Sequence, residues 1–324
     1  MRGHHGLALA LAVTLLNACR DRATHTTTVR EADAGTTPPQ PSDATAPRAV
    51  DASVKDADVL LSAKSIGNTS VVFKLTFASG AKCAWKPRSK RGKDRFRGEI
   101  AAFRLAGALG VRGVPAATFA ALPWSQLESA LGASPSSLAL AQREVTADDA
   151  GLVPGARIDW IEGLEVLGLE SEPLRGRWRG WLLDDAPLTD ADRPLAAQIA
   201  TMIVFDSLAG NWDRWSGANV GFLPAKSELV LIDNDGAFLP KAPPPMERQR
   251  ELMRGLRVFP KALVDAIRLL DDASMQRAVG EERPGVPLLS EAAMRGLAER
   301  RLTVLEAVDA RVKAVGAAKA FAFP

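Results

Sequence analysis

The sequence predicts an α+β fold in two lobes, a small β-rich N-terminal lobe followed by a larger helical C-terminal lobe. Three observations predict it. Residues 71–77 and 81–86 read as strands either side of Ser79-Gly80, a hairpin signal. One amphipathic stretch, 98–109, follows as a helix closed by Gly110. From Pro194 onward apolar residues recur mainly at helical spacing, broken by one short apolar strand.

The chain has 324 residues, enough for one large domain or two modest lobes. Hydrophobic residues make up 47% and charged residues 24%, a balance that buries a core. Net charge is only +3, with no basic stripe interleaved with aromatics, which argues against a nucleic-acid partner. Past the N-terminus no uncharged apolar run has the length of a membrane span.

Taken in order, residues 1–18 read as a lipoprotein signal peptide: Arg2, His4 and His5, an apolar run at 6–16, then Asn17-Ala18-Cys19. The Leu-x-Ala-Cys ending resembles the bacterial lipobox and implies acylation of Cys19. The expectation is an exported protein held to a membrane by a lipid anchor, or a cytoplasmic one if Met1 is not the true start. Residues 19–55 are rich in Thr, Ala, Pro, Asp and Arg and read as a flexible tether. The N-terminal lobe is placed at 56–162 and the C-terminal lobe at 163–324.

Within the first lobe come the hairpin, the helix at 98–109, an Ala/Ser-rich stretch at 115–140 without a clear periodicity, and a strand at 156–161. The second lobe holds a helix at 194–208, with a Pro near its start and Ile199, Met202, Ile203 and Leu208 on one face. A strand at 229–232 follows. The last long helix begins after Ser290 as its N-cap, with Leu297, Leu302, Leu305, Val308, Val312 and Val315 as its apolar face.

The chemistry lies in two polar loops and one strand. Asn211, Asp213, Arg214 and Asn219 stand in a loop after the 194–208 helix, and Asp233-Asn234-Asp235-Gly236 ends the 229–232 strand. A carboxylate in a polar loop, then an Asn, then a carboxylate closing a buried strand is what phosphoryl transfer uses. The first orients or deprotonates the acceptor hydroxyl, and the others hold metal ions. Taken singly, both loops could be ordinary turns. Upstream, Cys83-Ala84-Trp85-Lys86 has a small residue and a Lys on one strand face. Ala84 could roof an adenine and Lys86 could reach phosphates. Glu99, in the first helical turn, could pair with Lys86, or could simply complement the helix dipole. Lys86 could equally be a solvated strand lysine beside Arg88 and Lys90. Gly67, Asn68 and Thr69 precede the first strand and could cover phosphates with backbone N–H groups, or form a plain turn. Asp159 and Ile161 fall where a linker between lobes would offer backbone groups to adenine.

These blocks together resemble the atypical kinases: Lys86-Pro87, the helix from Glu99, Val114-Pro115, Gly210-Asn211-x-Asp213-Arg214 and Ile232-Asp233-Asn234. That group contains the secretory-pathway kinases of the Golgi, the type II phosphatidylinositol 4-kinases and the bacterial HipA-like kinases. The resemblance runs from about residue 65 to 238. It implies a protein-kinase-like fold, ATP with Mg²⁺ or Mn²⁺, and γ-phosphoryl transfer to a protein or other hydroxyl acceptor. It also implies Asp213 as catalytic Asp, Asn219 and Asp233 as metal ligands, Lys86 as phosphate-binding Lys and Glu99 as its partner. A nucleotide- or partner-binding lipoprotein without turnover and a lipid kinase are the alternatives. Three residues depart from the pattern. Asn219 is the sixth residue after Asp213 where the kinase loop has its Asn at the fifth. Trp215 replaces a His, and Asp235 replaces a Gly.

All three His are N-terminal and only Cys83 lies beyond residue 19, which excludes a Ser/His/Asp triad and a Cys/His zinc site from the folded part. Trp178, Trp181, Trp212 and Trp215 are expected to pack rather than stack on ligands. The arginines at 88–97 read as a solvated strand-to-helix loop, or as a patch for an acidic partner.

Overall fold

The computed structural model describes residues 58–67, 70–241 and 243–323. The expected tether, the signal segment with Cys19, and both Asn68 and Thr69 lie outside them.

The N-terminal lobe is a five-stranded antiparallel sheet in the order β1-β2-β3-β5-β4. Its strands are β1 (Leu60–Ser65), β2 (Phe73–Phe77), β3 (Lys82–Pro87), β4 (Ala117–Pro123) and β5 (Leu152–Asp159). The β2–β3 turn carries Gly80 at φ 81°, a backbone position that suits glycine. Alternation does the rest. Phe73, Leu75, Cys83 and Trp85 point to one face and pack with Leu127, Leu131 and Ala141 from the helices α2 (Trp124–Leu131) and α3 (Pro135–Glu144). Ala84 and Lys86 point to the other, paired across the sheet with Ile158 and Ala156. That face carries helix α1 (Phe96–Leu109), whose Ile100, Ala101 and Leu105 are fully buried. Gly110 closes α1 in the left-handed region at φ 69°.

The stretch at 115–140 without clear periodicity is strand β4 and two helices. The 156–161 strand begins earlier, at Leu152, because Pro154-Gly155 looks like a chain break yet sits inside the sheet. There Pro154 still offers its carbonyl to Arg88 N–H at 2.7 Å.

The C-terminal lobe is built on helix α5 (Arg193–Ala209), with Ile199, Met202, Ile203, Phe205 and Leu208 all buried. Around it lie α4 (Leu174–Leu183), α6 (Met246–Gly255), α7 (Lys261–Leu269), α8 (Asp272–Val279) and α9 (Glu291–Val315). Strands β6 (Glu165–Val166), β7 (Val220–Leu223) and β8 (Glu228–Leu231) form a second sheet in that order. Ser290 caps α9, its Oγ accepting from Ala293 N–H at 3.3 Å. The inward face of α9 carries Leu297, Val304 and Val308, with Leu305 and Val312 at its edge. Leu302 is 55% exposed, because five residues along a 3.6-residue repeat carry it well away from Leu297. Among the described residues no helix is long and apolar enough to cross a membrane.

Candidate active site

Four elements bring the site together. β3 supplies Lys86, α1 supplies Glu99, the loop between α5 and β7 supplies Asp213 and Asn219, and the loop after β8 supplies Asp233 and Asp235. Lys86, 6% exposed, donates from Nζ to Glu99 Oε1 and to Asp233 Oδ1, both at 2.5 Å, and lies 3.3 Å from Asp235 Oδ2. Burial by itself would lower the Lys86 pKa, but Glu99, Asp235 and Asp233 together hold it raised. Lys86 is therefore charged and committed to carboxylates rather than to solvent. Asp233 stands at φ 58°, an uncommon conformation for a residue with a Cβ. Burial acts to raise its pKa, and the Lys86 charge outweighs that and leaves it below the usual carboxylate value.

Glu99 does more than hold Lys86. Its Oε1 accepts from Asn234 N–H at 2.9 Å and its Oε2 from Asn234 Nδ2 at 3.3 Å, fastening α1 to the loop after β8. Gly98 permits this approach, since a Cβ there would stand 2.8 Å from Asn234 O.

A second hub has no motif that marks it in the sequence. Arg214 is 1% exposed and grips Asp206, on α5, with Nε at 2.8 Å and Nη2 at 3.1 Å. It also donates to Asn219 O at 2.6 Å, Ile232 O at 2.5 Å and Asn234 Oδ1 at 2.5 Å. One guanidinium thus ties the end of α5 to both functional loops. The available signal was Asp206 itself, a charge within the otherwise apolar 199–208 face. Gly210, at φ 72°, ends α5 and turns the chain into the Asp213 loop, while Arg300 covers the Leu208 carbonyl at 2.8 Å.

Asp213 is half-buried. Desolvation raises its pKa, and the charges of Asp233 and Asp235 add to that, against a hydrogen bond from Ser216. A base with a raised pKa is a better proton acceptor. Asn219 spends its Nδ2 on Asp213 O at 2.8 Å and Ser216 Oγ at 3.0 Å, and among the described residues no hydrogen bond reaches its Oδ1. Among the described residues no group of three or more His, Cys, Asp and Glu assembles a metal site. An Asp and an Asn oxygen without a closed protein cage suit Mg²⁺ or Mn²⁺, which takes few protein ligands and completes its shell with phosphates and water. Asn219 and Asp233 supply oxygen donors of the type such an ion takes.

Of the remaining expected residues, Ala84 sits on the Lys86 face of β3, half-buried against the core. Asp159 ends β5 with an exposed side chain and gives its N–H to Ala116 O at 2.9 Å. Ile161 is half-buried in the linker to β6, and Gly67 lies in the turn after β1. Trp178, Trp181 and Trp215 are buried; Trp178 and Trp215 stack at 5.3 Å. The arginines at 88–97 are not all solvated. Arg95 reaches Asp235 Oδ1 at 2.5 Å, and Arg97 reaches Glu282 at 2.6 Å, so they bridge α1 to the second lobe.

No protein-family profile matches the chain, and no curated protein matches it in sequence. Solved structures do. The Golgi casein kinase with Mn and ADP bound superposes with a TM-score of 0.60 at 14% identity, over 82% of this chain and 76% of that one. A hydra Fam20 structure with sugar gives 0.60 at 17% identity, over 82% and 89%. The two-lobed α+β architecture of this chain is a protein-kinase-like fold.

Proposed function

We propose that the protein is a metal- and ATP-dependent phosphotransferase acting on a hydroxyl of a protein or small molecule. The observation that carries this reading is the convergence of Lys86, Glu99 and Asp233 beside the Asp213 loop, from segments up to 147 residues apart. In it, Lys86 holds phosphate oxygens of ATP and Glu99 keeps Lys86 in place. Ala84 lines the adenine side with Asp159 and Ile161, and Gly67 is assigned to cover the phosphates, together with Asn68 and Thr69, which lie outside the described residues. Asn219 and Asp233 would hold Mg²⁺ or Mn²⁺, which neutralises the charge of the phosphates. Asp213 accepts the acceptor's hydroxyl proton as its oxygen bonds the γ-phosphorus. The bond from that phosphorus to the β–γ bridging oxygen breaks, and ADP leaves. The raised Asp213 pKa and the Mn/ADP complex of a structural neighbour support the reading.

The test is transfer of labelled phosphate from ATP, to the chain itself or to casein, with Mg²⁺ or Mn²⁺. Transfer that is abolished in Asp213→Asn is expected. Transfer that persists in that variant overturns the role of Asp213. Absence of any transfer, with metal-dependent nucleotide binding intact, would favour a binding protein without turnover.

We further propose that Cys19 carries a lipid that anchors the protein to a membrane after export. Palmitate incorporation lost in Cys19→Ala is the expected result, and incorporation that survives it refutes the anchor.

A further inference from the structure

Helix α1 packs mainly on β4 and β5, so it leaves uncovered the β2–β3 end of the sheet face that carries Ala84 and Lys86. Across that end Lys74, Ala84 and Ile158 stand side by side, one each on β2, β3 and β5. Lys74 and Ala84 are half-buried, within reach of a ligand. The Lys74 ammonium lies over the Trp160 indole, 4.0 Å from the ring centre. Trp160 stands just beyond β5, and β3 separates β2 from β5, which puts the two strands about 10 Å apart. To meet, the Lys74 and Trp160 side chains have to cross the face of β3. The cation and the ring therefore lie beside Ala84, where the base of a nucleotide is placed.

An apolar residue opposite Ala84 would touch any base alike, whereas an ammonium is selective. It has three donors and no acceptor. The linker supplies less than it could, because Asp159 gives its N–H to Ala116 O at 2.9 Å and has none left for a base. Glu162, also in the linker, pairs with Lys82 at 2.7 Å and acts on Lys74 from beyond ion-pair distance. The Trp160 face holds the Lys74 cation by its ring electrons, an attraction weak enough to be exchanged for a base. Beside N7 adenine carries an amino donor, which an ammonium opposes, and guanine carries a second acceptor, O6. We propose that the base subsite accepts guanine on a par with adenine, Lys74 donating to its O6 and N7, and that GTP is a second phosphoryl donor. With GTP the acceptor oxygen bonds the γ-phosphorus, its proton passes to Asp213, the bond to the β–γ bridging oxygen breaks and GDP leaves. This inference rests on the phosphotransferase reading and deepens it.

The experiment is calorimetric titration of the full-length chain with ATP and with GTP, each with Mg²⁺ and again with Mn²⁺, for the parent, Lys74→Leu and Lys74→Arg. In the parent, GTP should bind within about three-fold of ATP. Lys74→Leu, which supplies an apolar side chain in place of the cation, should move the ratio of GTP to ATP affinity about ten-fold towards ATP, the worth of one base-reading pair. Lys74→Arg keeps the donors and should hold the ratio near that of the parent. Labelled phosphate from GTP should reach the same acceptor as that from ATP. The proposal is overturned, with the phosphotransferase reading intact, if the parent binds ATP but discriminates against GTP by more than about ten-fold. It is overturned in the same way if Lys74→Leu leaves the ratio unchanged, or loses ATP and GTP equally, since Lys74 would then not read the base. A parent that binds neither nucleotide with either metal refutes both readings.

Discussion

Consider replacing Arg214 by Met. The side chain is fully enclosed and makes five hydrogen bonds, two of them to the Asp206 carboxylate. Met restores most of the volume but leaves Asp206, 0% exposed, as a buried carboxylate without its cation. It also removes the donors to Asn219 O and Ile232 O. Breaking a buried pair from one side costs about 3–5 kcal/mol, because the remaining charge is uncompensated. For a chain of this size each kcal/mol moves the unfolding midpoint by about 2–4 °C, so a fall on the order of 10 °C is expected. Adding Asp206→Leu removes the stranded charge, and the double variant should be more stable than the two single effects summed, by about 0.5–3 kcal/mol. The assay is thermal unfolding of parent, Arg214→Met, Asp206→Leu and the double variant under one buffer. A midpoint lowered by less than about 2 °C in Arg214→Met, or strict additivity, would refute the view of Arg214 as the tie between α5 and both loops.

Further outcomes follow from the same geometry. Folding raises the Asp213 pKa, so ionised Asp213 opposes folding above that pKa, and the opposition disappears below the unfolded value. Asp213→Asn should therefore match or exceed the parent's unfolding midpoint at neutral pH while losing phosphate transfer, with the gap in midpoint narrowing as pH falls. For the same reason transfer by the parent should decline on the acid side at a higher pH than an unperturbed Asp would give, which a pH–rate profile reads. Gly98→Ala places a Cβ 2.8 Å from Asn234 O and 3.2 Å from Asp235 Cα, both backbone atoms, and should push α1 off the loop after β8. The expected cost is about 1–3 kcal/mol in stability together with weaker nucleotide binding, measured by unfolding and titration. Trp178→Ala removes a fully buried ring stacked on Trp215 and its N–H bond to Leu169 O at 2.8 Å. It should lower stability by about 3–5 kcal/mol.

The contact of Lys86 with Glu99 and Asp233 joins residues that type and spacing single out in the sequence. Lys86 on a strand face, Glu99 in the next helix and the Asp213 and Asp233 loops could be named without coordinates. What escaped was what holds them. Asp206 sits among apolar residues of α5 and reads locally as a stray charge; only the fold brings Arg214 back to it from the next loop. Asn234 looked like turn punctuation, yet it joins Glu99 to Arg214. Arg95 and Arg97 looked solvated because their partners, Asp235 and Glu282, are 140 and 185 residues away. The 115–140 region was obscure for a different reason. Its Ala and Ser residues carry little hydrophobic contrast, so strand β4 and helices α2 and α3 owe their placement to the sheet they cover.

The most direct test of the central claim is thermal unfolding of the chain with and without ATP, in Mg²⁺ or Mn²⁺, beside Asp233→Ala. With ATP at about 100 times its dissociation constant, stabilisation of about 2.7 kcal/mol is expected, and with it a midpoint raised by several degrees. The account predicts a shift that needs the metal and disappears in Asp233→Ala. No shift with either metal, or an equal shift in Asp233→Ala, would contradict it.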